Sequence, residues 1–367
     1  MGKWYMLQKY FHYIARHYLK NFFVLLLGLS AAVSLIDYLQ HASMLKGAAN
    51  QKILYVFYKW QEMLALFYPL VIVFSAVWTH MSMIRQNTLI ALFSFGYSKK
   101  SVFVPIFTVA VVIHVFFTFL QLTDFAYGGD KARVILHKSE NERKVKDLFF
   151  KYNNSFVYVE QLDPVKKILR NTTIFLIKNN NIYQIVKFEF AQFIEKSWIA
   201  NHAFIKTKTF DSEGRLNGFE VTEKKNLKIL EGYKPRVIKL IYEGKSLRLS
   251  DGINAWLLLH RQGLDTNKVK ASVYNKTLGP LFALAMIAIL FFKIPPYQRF
   301  MRKEMVWTVS LGSTLMIWAL LFALYRLGIN GVISPDIAIP FPVALLCVYS
   351  FYLFANEKEK IAHPLKR

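Results

Sequence analysis

The residue types that make or break bonds are few in this chain and poorly placed for catalysis. Cys347 is the only cysteine, and it lies in an apolar run, so no intrachain disulfide is possible. The nine histidines are scattered without metal-ligand spacing. His114 sits within an apolar run, where a polar ring satisfied between helices is expected rather than a proton relay. Asp37 lies near the end of another run, the place of a solvated helix terminus or a cavity. There is no phosphate-cradling G-x-x-x-x-G-K-[ST] and no G-x-G-x-x-G. Nor is there an H-E-x-x-H or a G-x-S-x-G elbow. Asn171-Thr172-Thr173 matches a glycosylation acceptor, a three-residue pattern of low specificity. The chain shows no means of hydrolysing ATP, so directed work on a substrate would draw on a partner or an ion gradient.

Docking chemistry is more visible. In MIRQNTLIALFSFGYSKKSVF, residues 83–103, Leu89, Ile90, Leu92 and Phe93 form an apolar stripe at helical spacing, and Gly96 follows. The pattern predicts a short amphipathic helix over about 86–97, closed by a glycine C-cap. Lying between two crossings and parallel to the membrane, it suits docking to a cytoplasmic partner, with Leu89, Leu92 and Phe93 as anchors. Periodicity alone equally allows an interfacial turn.

Six apolar runs must position these residues, at about 18–40, 60–82, 102–123, 274–294, 305–326 and 337–355. Each approaches the roughly 20 residues that a helix needs to cross a ~30 Å hydrocarbon core. The predicted class is an α-helical membrane protein of three plus three spans with an inserted all-β domain. The divisions are 1–123, an N-terminal membrane triplet with an interfacial helix and the short inside helix; 124–270, the β domain; and 271–367, a C-terminal triplet and tail. Residues 3–20 alternate aromatics and cations. They read as an interfacial helix or as an extension of the first span. Small residues at Ser30-Ala31-Ala32 admit a signal peptide, but the long basic and aromatic segment before them favours an uncleaved anchor.

Runs at 155–160, 172–177, 182–190, 203–209 and 237–241 read as strands. Turn signals at Asp163-Pro164, 179–181, 212–214 and Asn217-Gly218 separate them. Short strands at this spacing predict a sandwich or jelly roll. Residues 131–150 look like a charged stalk continuing the third span, and 249–261 like a helix leading back to the membrane.

The net charge of +24 comes from dispersed basic residues without a nucleic-acid motif, so nucleic acid is not an expected partner. Short-loop cations set orientation instead. Lys3, Lys9, Arg16, Lys20, Arg85, Lys99, Lys100, Lys293, Arg299, Arg302, Lys303, Lys358, Lys360, Lys366 and Arg367 fall on one side. Lys46, Lys52, Lys59 and Arg326 fall on the other. The expectation is cytoplasmic termini and a large domain on the outside.

This layout resembles the LptF/LptG family, the permease subunits of the lipopolysaccharide-export ABC transporter, across essentially the whole chain. Arg85-Gln86-Asn87-Thr88-Leu89 through Ser94-Phe95-Gly96-Tyr97 is similar to the family's coupling-helix segment. Ser197-Trp198-Ile199-Ala200-Asn201 is similar to a Trp-bearing strand of the family. Tyr274-Asn275-Lys276 with Leu278-Gly279-Pro280 matches the start of the fourth span, and Pro335 with Pro342 the opening of the sixth. Ile36-Asp37-Tyr38-Leu39 leans toward LptG. The chain departs from the family in two places. Thr88 stands where a coupling-helix Glu is usual. Ser34, Gln40 and His41 stand where some LptG chains carry lysines that meet lipid phosphates, and Lys46, Lys52 and Lys59 would supply charge from nearby.

The resemblance implies a coupling helix that uses Arg85, Thr88, Leu89, Leu92, Phe93 and Gly96. It also implies a bacterial inner membrane, with the large domain in its periplasm. Headgroup contacts are expected near Ser34, Asp37, Lys46, Lys52 and Lys59, a reading from position and charge and not one carried over from the family. Expected partners are an LptB-like ATPase dimer that consumes the ATP, a second LptF/LptG-type permease, LptC- and LptA-like periplasmic proteins, and lipopolysaccharide. No cofactor bound by this chain is expected. The rival readings are a permease of the same architecture for another lipid or lipoprotein, and a non-transporting anchor whose outer domain binds a ligand. Co-purification with an ATPase separates the permeases from the anchor.

Overall fold

A computed structural model describes residues 2–45, 47–136, 145–238, 248–296 and 302–357, save 153–154, 164–165, 179–180, 196, 211–215, 232, 234, 236–237 and 262–264. The chain divides into a helical unit, Met1–Ala132 with Ala271–Arg367, and a second unit, Arg133–Lys270.

The helical unit opens with α1 (Gly2–His41), α2 (Ala49–Arg85), α3 (Thr88–Ser94) and α4 (Lys99–Leu120). Helix α1 is one unbroken helix of 40 residues. At ~1.5 Å per residue it far exceeds the hydrocarbon core, so residues 3–20 extend the first span instead of forming a separate interfacial helix. Its buried side chains recur every fourth residue, at Ile14, Tyr18, Phe22, Leu26, Ser30 and Ser34. They form a ridge of the kind that packs into a neighbouring groove. Helix α2 is the central span, with 67% of its most apolar window buried. Pro69 lies within it, its lost hydrogen bond tolerated among packed neighbours.

Past α4 the chain makes a 3₁₀ turn (Asp124–Tyr127) and helix α5 (Gly128–Leu136). The expected charged stalk at 131–150 is therefore not one. Residues 131–136 complete α5, 137–144 lie outside the described residues, and 145–150 begin a strand.

The second triplet starts with a broken span, α7 (Asn267–Thr277) and α8 (Leu281–Lys293), bent by 41°. The break falls at Leu278-Gly279-Pro280. A Cβ on Gly279 would lie 2.5 Å from the Asn275 carbonyl oxygen, so only glycine fits there. Helix α9 (Lys303–Ile329) follows. The last span is α10 (Pro335–Ala338) continued by α11 (Pro340–Asn356). Among the described residues five helices are long and apolar enough to cross a membrane, and a sixth crossing is made if the bent pair is one span. The outward faces of α9 and α11 are apolar: Met316 is 75% exposed and Phe351 71%. Lipid or another membrane chain is the solvent such faces require.

The second unit is a six-stranded antiparallel sheet in sequence order: β1 (Val145–Tyr152), β2 (Ser155–Asp163), β3 (Ile168–Lys178), β4 (Asn181–Ile194), β5 (Ser197–Phe210) and β6 (Leu216–Ile229). One face is apolar: Leu148, Val157, Leu169, Phe188, Ala203 and Trp198 are buried in one core. The sheet is rolled. Tyr152 lies level with Glu220 across the register, yet its hydroxyl accepts from the Glu231 backbone N–H, 3.2 Å, beyond the opposite end of β6. A flat sheet would hold β1 and β6 roughly 24 Å apart, five spacings of ~4.8 Å.

The Trp198 indole donates to the Tyr233 carbonyl, 2.7 Å, and Tyr233 stacks on Phe150. Helix α6 (Leu249–Arg261) falls where the sequence places it, and its Leu258 packs against the same core. Sequence reading missed β1 and β6. Asn217-Gly218, read as a turn, lies inside β6. Most of 237–241 lies outside the described residues, as does Lys46.

Candidate functional site

Two places in the helical unit gather the residues singled out by sequence. The first is the α2–α3–α4 elbow. Helix α2 ends at Arg85, and Asn87 takes a left-handed φ of 56°, so the chain turns into α3 within two residues. Gly96 (φ +87°) then closes α3. Its N–H bonds the Phe93 carbonyl at 3.0 Å, and the Tyr97 N–H bonds the Leu92 carbonyl at 3.1 Å. That pair of bonds is a Schellman cap, which demands the left-handed residue glycine supplies. Ser98 caps α4 by accepting from the Ser101 N–H, 3.1 Å, and Tyr97 meets Tyr10 of α1 with ring centroids 4.3 Å apart. A helix of seven residues is therefore entered through a left-handed Asn87 and closed at its far end by Gly96.

The predicted stripe is covered by the bundle at Leu89 and partly open elsewhere. Leu89 is 1% exposed and belongs to the bundle core, with Leu92 and Phe93 packed against it. These three hold α3 to the bundle, and Leu89 offers no surface to an outside partner. The open face carries Ile90, 42% exposed, and Phe95, 80% exposed. Arg85 is exposed and Thr88 is half-buried. Sequence analysis passed over Phe95 because it lies off the 89–92–93 stripe. Its signal was a large aromatic directly before a glycine cap, with no helical neighbour to cover it.

The second place is the His41 end of the α1–α2 hairpin. A groove of about 480 Å³ runs between the two helices, lined by Ala31, Ser34, Leu35 and Tyr38 of α1 and by Lys52, Ile53, Val56, Phe57 and Trp60 of α2. Its walls are mostly apolar, with polar groups from Ser34, Tyr38 and Lys52. The back is closed by hydrogen bonds: Trp60 Nε1 donates to Ser30 Oγ, 2.8 Å, and Ser34 Oγ donates to the Ser30 carbonyl, 2.6 Å.

Behind the groove lies an ionic network. Tyr55 donates to Asp37 at 2.5 Å. Lys59 Nζ lies 3.3 Å from Asp37 and 3.0 Å from Glu62, and His41 lies 3.6 Å from Asp37. Of the sequence-predicted headgroup residues, Ser34 and Lys52 thus line the groove. Asp37 and Lys59 are engaged with each other, and Lys46 lies outside the described residues. Glu62 was missed, because an acid three residues past a lysine on one helix carries no signal until Asp37 is known to face both.

Among the described residues no group of His, Cys, Asp or Glu is placed to hold a metal ion. A bundle of apolar spans with an inserted β domain, a mostly apolar groove between two of the spans and a short helix partly exposed between two others suits a membrane permease subunit. The chain belongs to the LptF/LptG family: the family model described as lipopolysaccharide export system permease LptF/LptG matches residues 12–356. That description joins both branches and does not divide them. No curated protein matches the chain. Membership makes it a multi-pass inner-membrane permease component of lipopolysaccharide export, not itself the catalytic part of the transporter.

Proposed function

We propose that this chain is one of two permease subunits that take lipopolysaccharide from the inner membrane and pass it to a periplasmic bridge. The energy comes from a separate LptB-like ATPase dimer, and this chain binds no nucleotide. The observation that carries the reading is the open side of α3, where Phe95, the residue that ends the helix, is 80% exposed. An exposed aromatic next to a closed helix end is the kind of anchor that fills a pocket on a partner. Arg85, exposed at the end of α2, supplies charge in place of the family's Glu, at whose position Thr88 stands. Leu89, Leu92 and Phe93 transmit force from that contact into the bundle.

The groove between α1 and α2 supports the substrate half of the reading. Its walls suit acyl chains, and Lys52 suits an anionic headgroup, while Asp37, Lys59 and Glu62 fix the hairpin around it. The open faces of α9 and α11 leave room for a second LptF/LptG-type permease. In the β domain, β6 is an edge strand exposed on both faces, with Phe219 and Val221 open. Such an edge accepts strand addition, as LptC- and LptA-like proteins would require. The short-loop cations support an orientation with both termini and α3 in the cytoplasm and the β domain in the periplasm.

The test is co-purification of the ATPase with full-length chain in the presence of the second permease, together with ATP-dependent lipopolysaccharide release. Phe95→Asp should insert normally and lose the ATPase, because docking would bury an unpaired charge. Wild-type binding and release from the Phe95→Asp chain would refute the docking assignment and favour a non-transporting anchor.

A further inference from the structure

The two lysines that open α4 reach across the molecule. Lys99 Nζ donates to the Phe292 carbonyl of α8 at 2.9 Å and lies 5.7 Å from the Phe292 ring centroid. Lys100 Nζ donates to the Ala355 carbonyl of α11 at 3.4 Å and lies 5.3 Å from the Phe354 ring centroid. Both acceptors are among the final carbonyls of their helices, which have no intrahelical donor. A cation at the first turn of a helix is disfavoured by that helix's own dipole and favoured at a helix C-terminus. Lys99 and Lys100 therefore sit badly on α4 and well against α8 and α11. Four residues separate them from α3, with a Schellman cap at one end of that link and a serine cap at the other.

We infer that Lys99 and Lys100 carry the displacement of α3 into the second triplet, gripping α8 and α11 by their carbonyl ends. The inference rests on the reading of α3 as the ATPase-coupling helix. A push on α3 is delivered at once to α4, and through the two ammonium groups to the last helices of the chain. Without them the ATPase would still bind and turn over, but its motion would stop at the first triplet. Lys99 makes the shorter bond and carries the larger share.

The experiment uses the full complex, with ATPase and second permease, in lipid nanodiscs loaded with lipopolysaccharide and a periplasmic acceptor. Lys99→Met keeps the length of the side chain and removes its charge. The expected result is wild-type ATPase association, continued ATP hydrolysis and at least a tenfold fall in lipopolysaccharide released per ATP. Lys99→Arg should recover most of that ratio. Lys100→Met, whose contact is exposed, should fall less, about threefold. A wild-type ratio from Lys99→Met overturns the inference. So does a Lys99→Met chain that fails to assemble while Lys100→Met keeps the wild-type ratio, because the lysines would then be structural only. Failure of the underlying reading shows separately, as a Phe95→Asp chain that keeps its ATPase.

Discussion

The two ends of the helical unit handle charge in opposite ways. At the His41 end of the α1–α2 hairpin, Asp37, Lys59 and Glu62 satisfy one another across neighbouring helices. At the α3 end, Lys99 and Lys100 find their acceptors on α8 and α11, nearly two hundred or more residues away in sequence. The first arrangement makes a hairpin sufficient to itself. The second ties the two triplets together through a pair of ammonium groups. The triplets also meet where Lys276 donates to Gln121, 3.2 Å, so the contrast lies in how charge is satisfied: within one hairpin at the first end, by helix-end carbonyls of the other triplet at the second.

The plainest way to break this comparison is to show that the ends are reversed. In a Cys347→Ser background, Thr222→Cys on β6 should react fully with a membrane-impermeant thiol reagent in cells with a permeabilised outer membrane. Ser94→Cys on α3 should react only after the inner membrane is opened. The opposite pattern would invert the roles of both ends.

Next in size is the contrast between the two faces of α3. Phe95→Ala should weaken ATPase binding about ten- to hundredfold, corresponding to the ~1–3 kcal/mol of burying one large apolar side chain, with the thermal stability of the detergent-solubilised chain unchanged. Phe93→Ala should do the reverse, lowering stability by roughly 3 kcal/mol through a cavity in the bundle.

At the other end, Lys59→Met would leave Asp37 and Glu62 facing each other without their cation. A loss of about 1–3 kcal/mol is expected for a half-buried pair, read as a lower unfolding temperature, with ATPase binding intact. The smallest effect belongs to Gly96→Ala, which puts a Cβ on a residue with φ +87°. It should cost about 1 kcal/mol and show as a modest drop in release per ATP.

What the sequence made legible follows from the solvent each part meets. The spans and the inserted β domain were visible because apolar runs of membrane length and alternating strands are strong periodic signals. Helix α6 was visible for the same reason. Strand β6 was hidden because both of its faces are exposed, so LNGFEVTEKKNLKI carries no buried alternation. Strand β1 was hidden because Lys146, Asp147 and Lys151 flank its inward Leu148 and Phe150. At the site, the stripe of α3 was found and its direction was not. A stripe announces that a helix has an apolar face, and only the fold says whether the bundle or a partner covers it. The positioning lysines and Glu62 lay beyond reach because their partners are remote in sequence.

The bend at Gly279 bears on how this protein enters its membrane at all. Helix α8 has 13 residues, about 20 Å of helix, short of the ~30 Å hydrocarbon core. The preceding α7, NKVKASVYNKT, is polar and would not partition into lipid on its own. During synthesis the fourth crossing is therefore a poor insertion signal that needs company. The 27 residues of α9 are ample for a crossing, so the two should enter together as a hairpin, with the strong segment carrying the weak one. The half-buried Lys276, which donates to Gln121 at 3.2 Å, finds that acceptor only once the first triplet is already in place. Biogenesis of the second triplet thus waits on the first, and a chain truncated after α8 would leave its fourth segment stranded at the membrane surface.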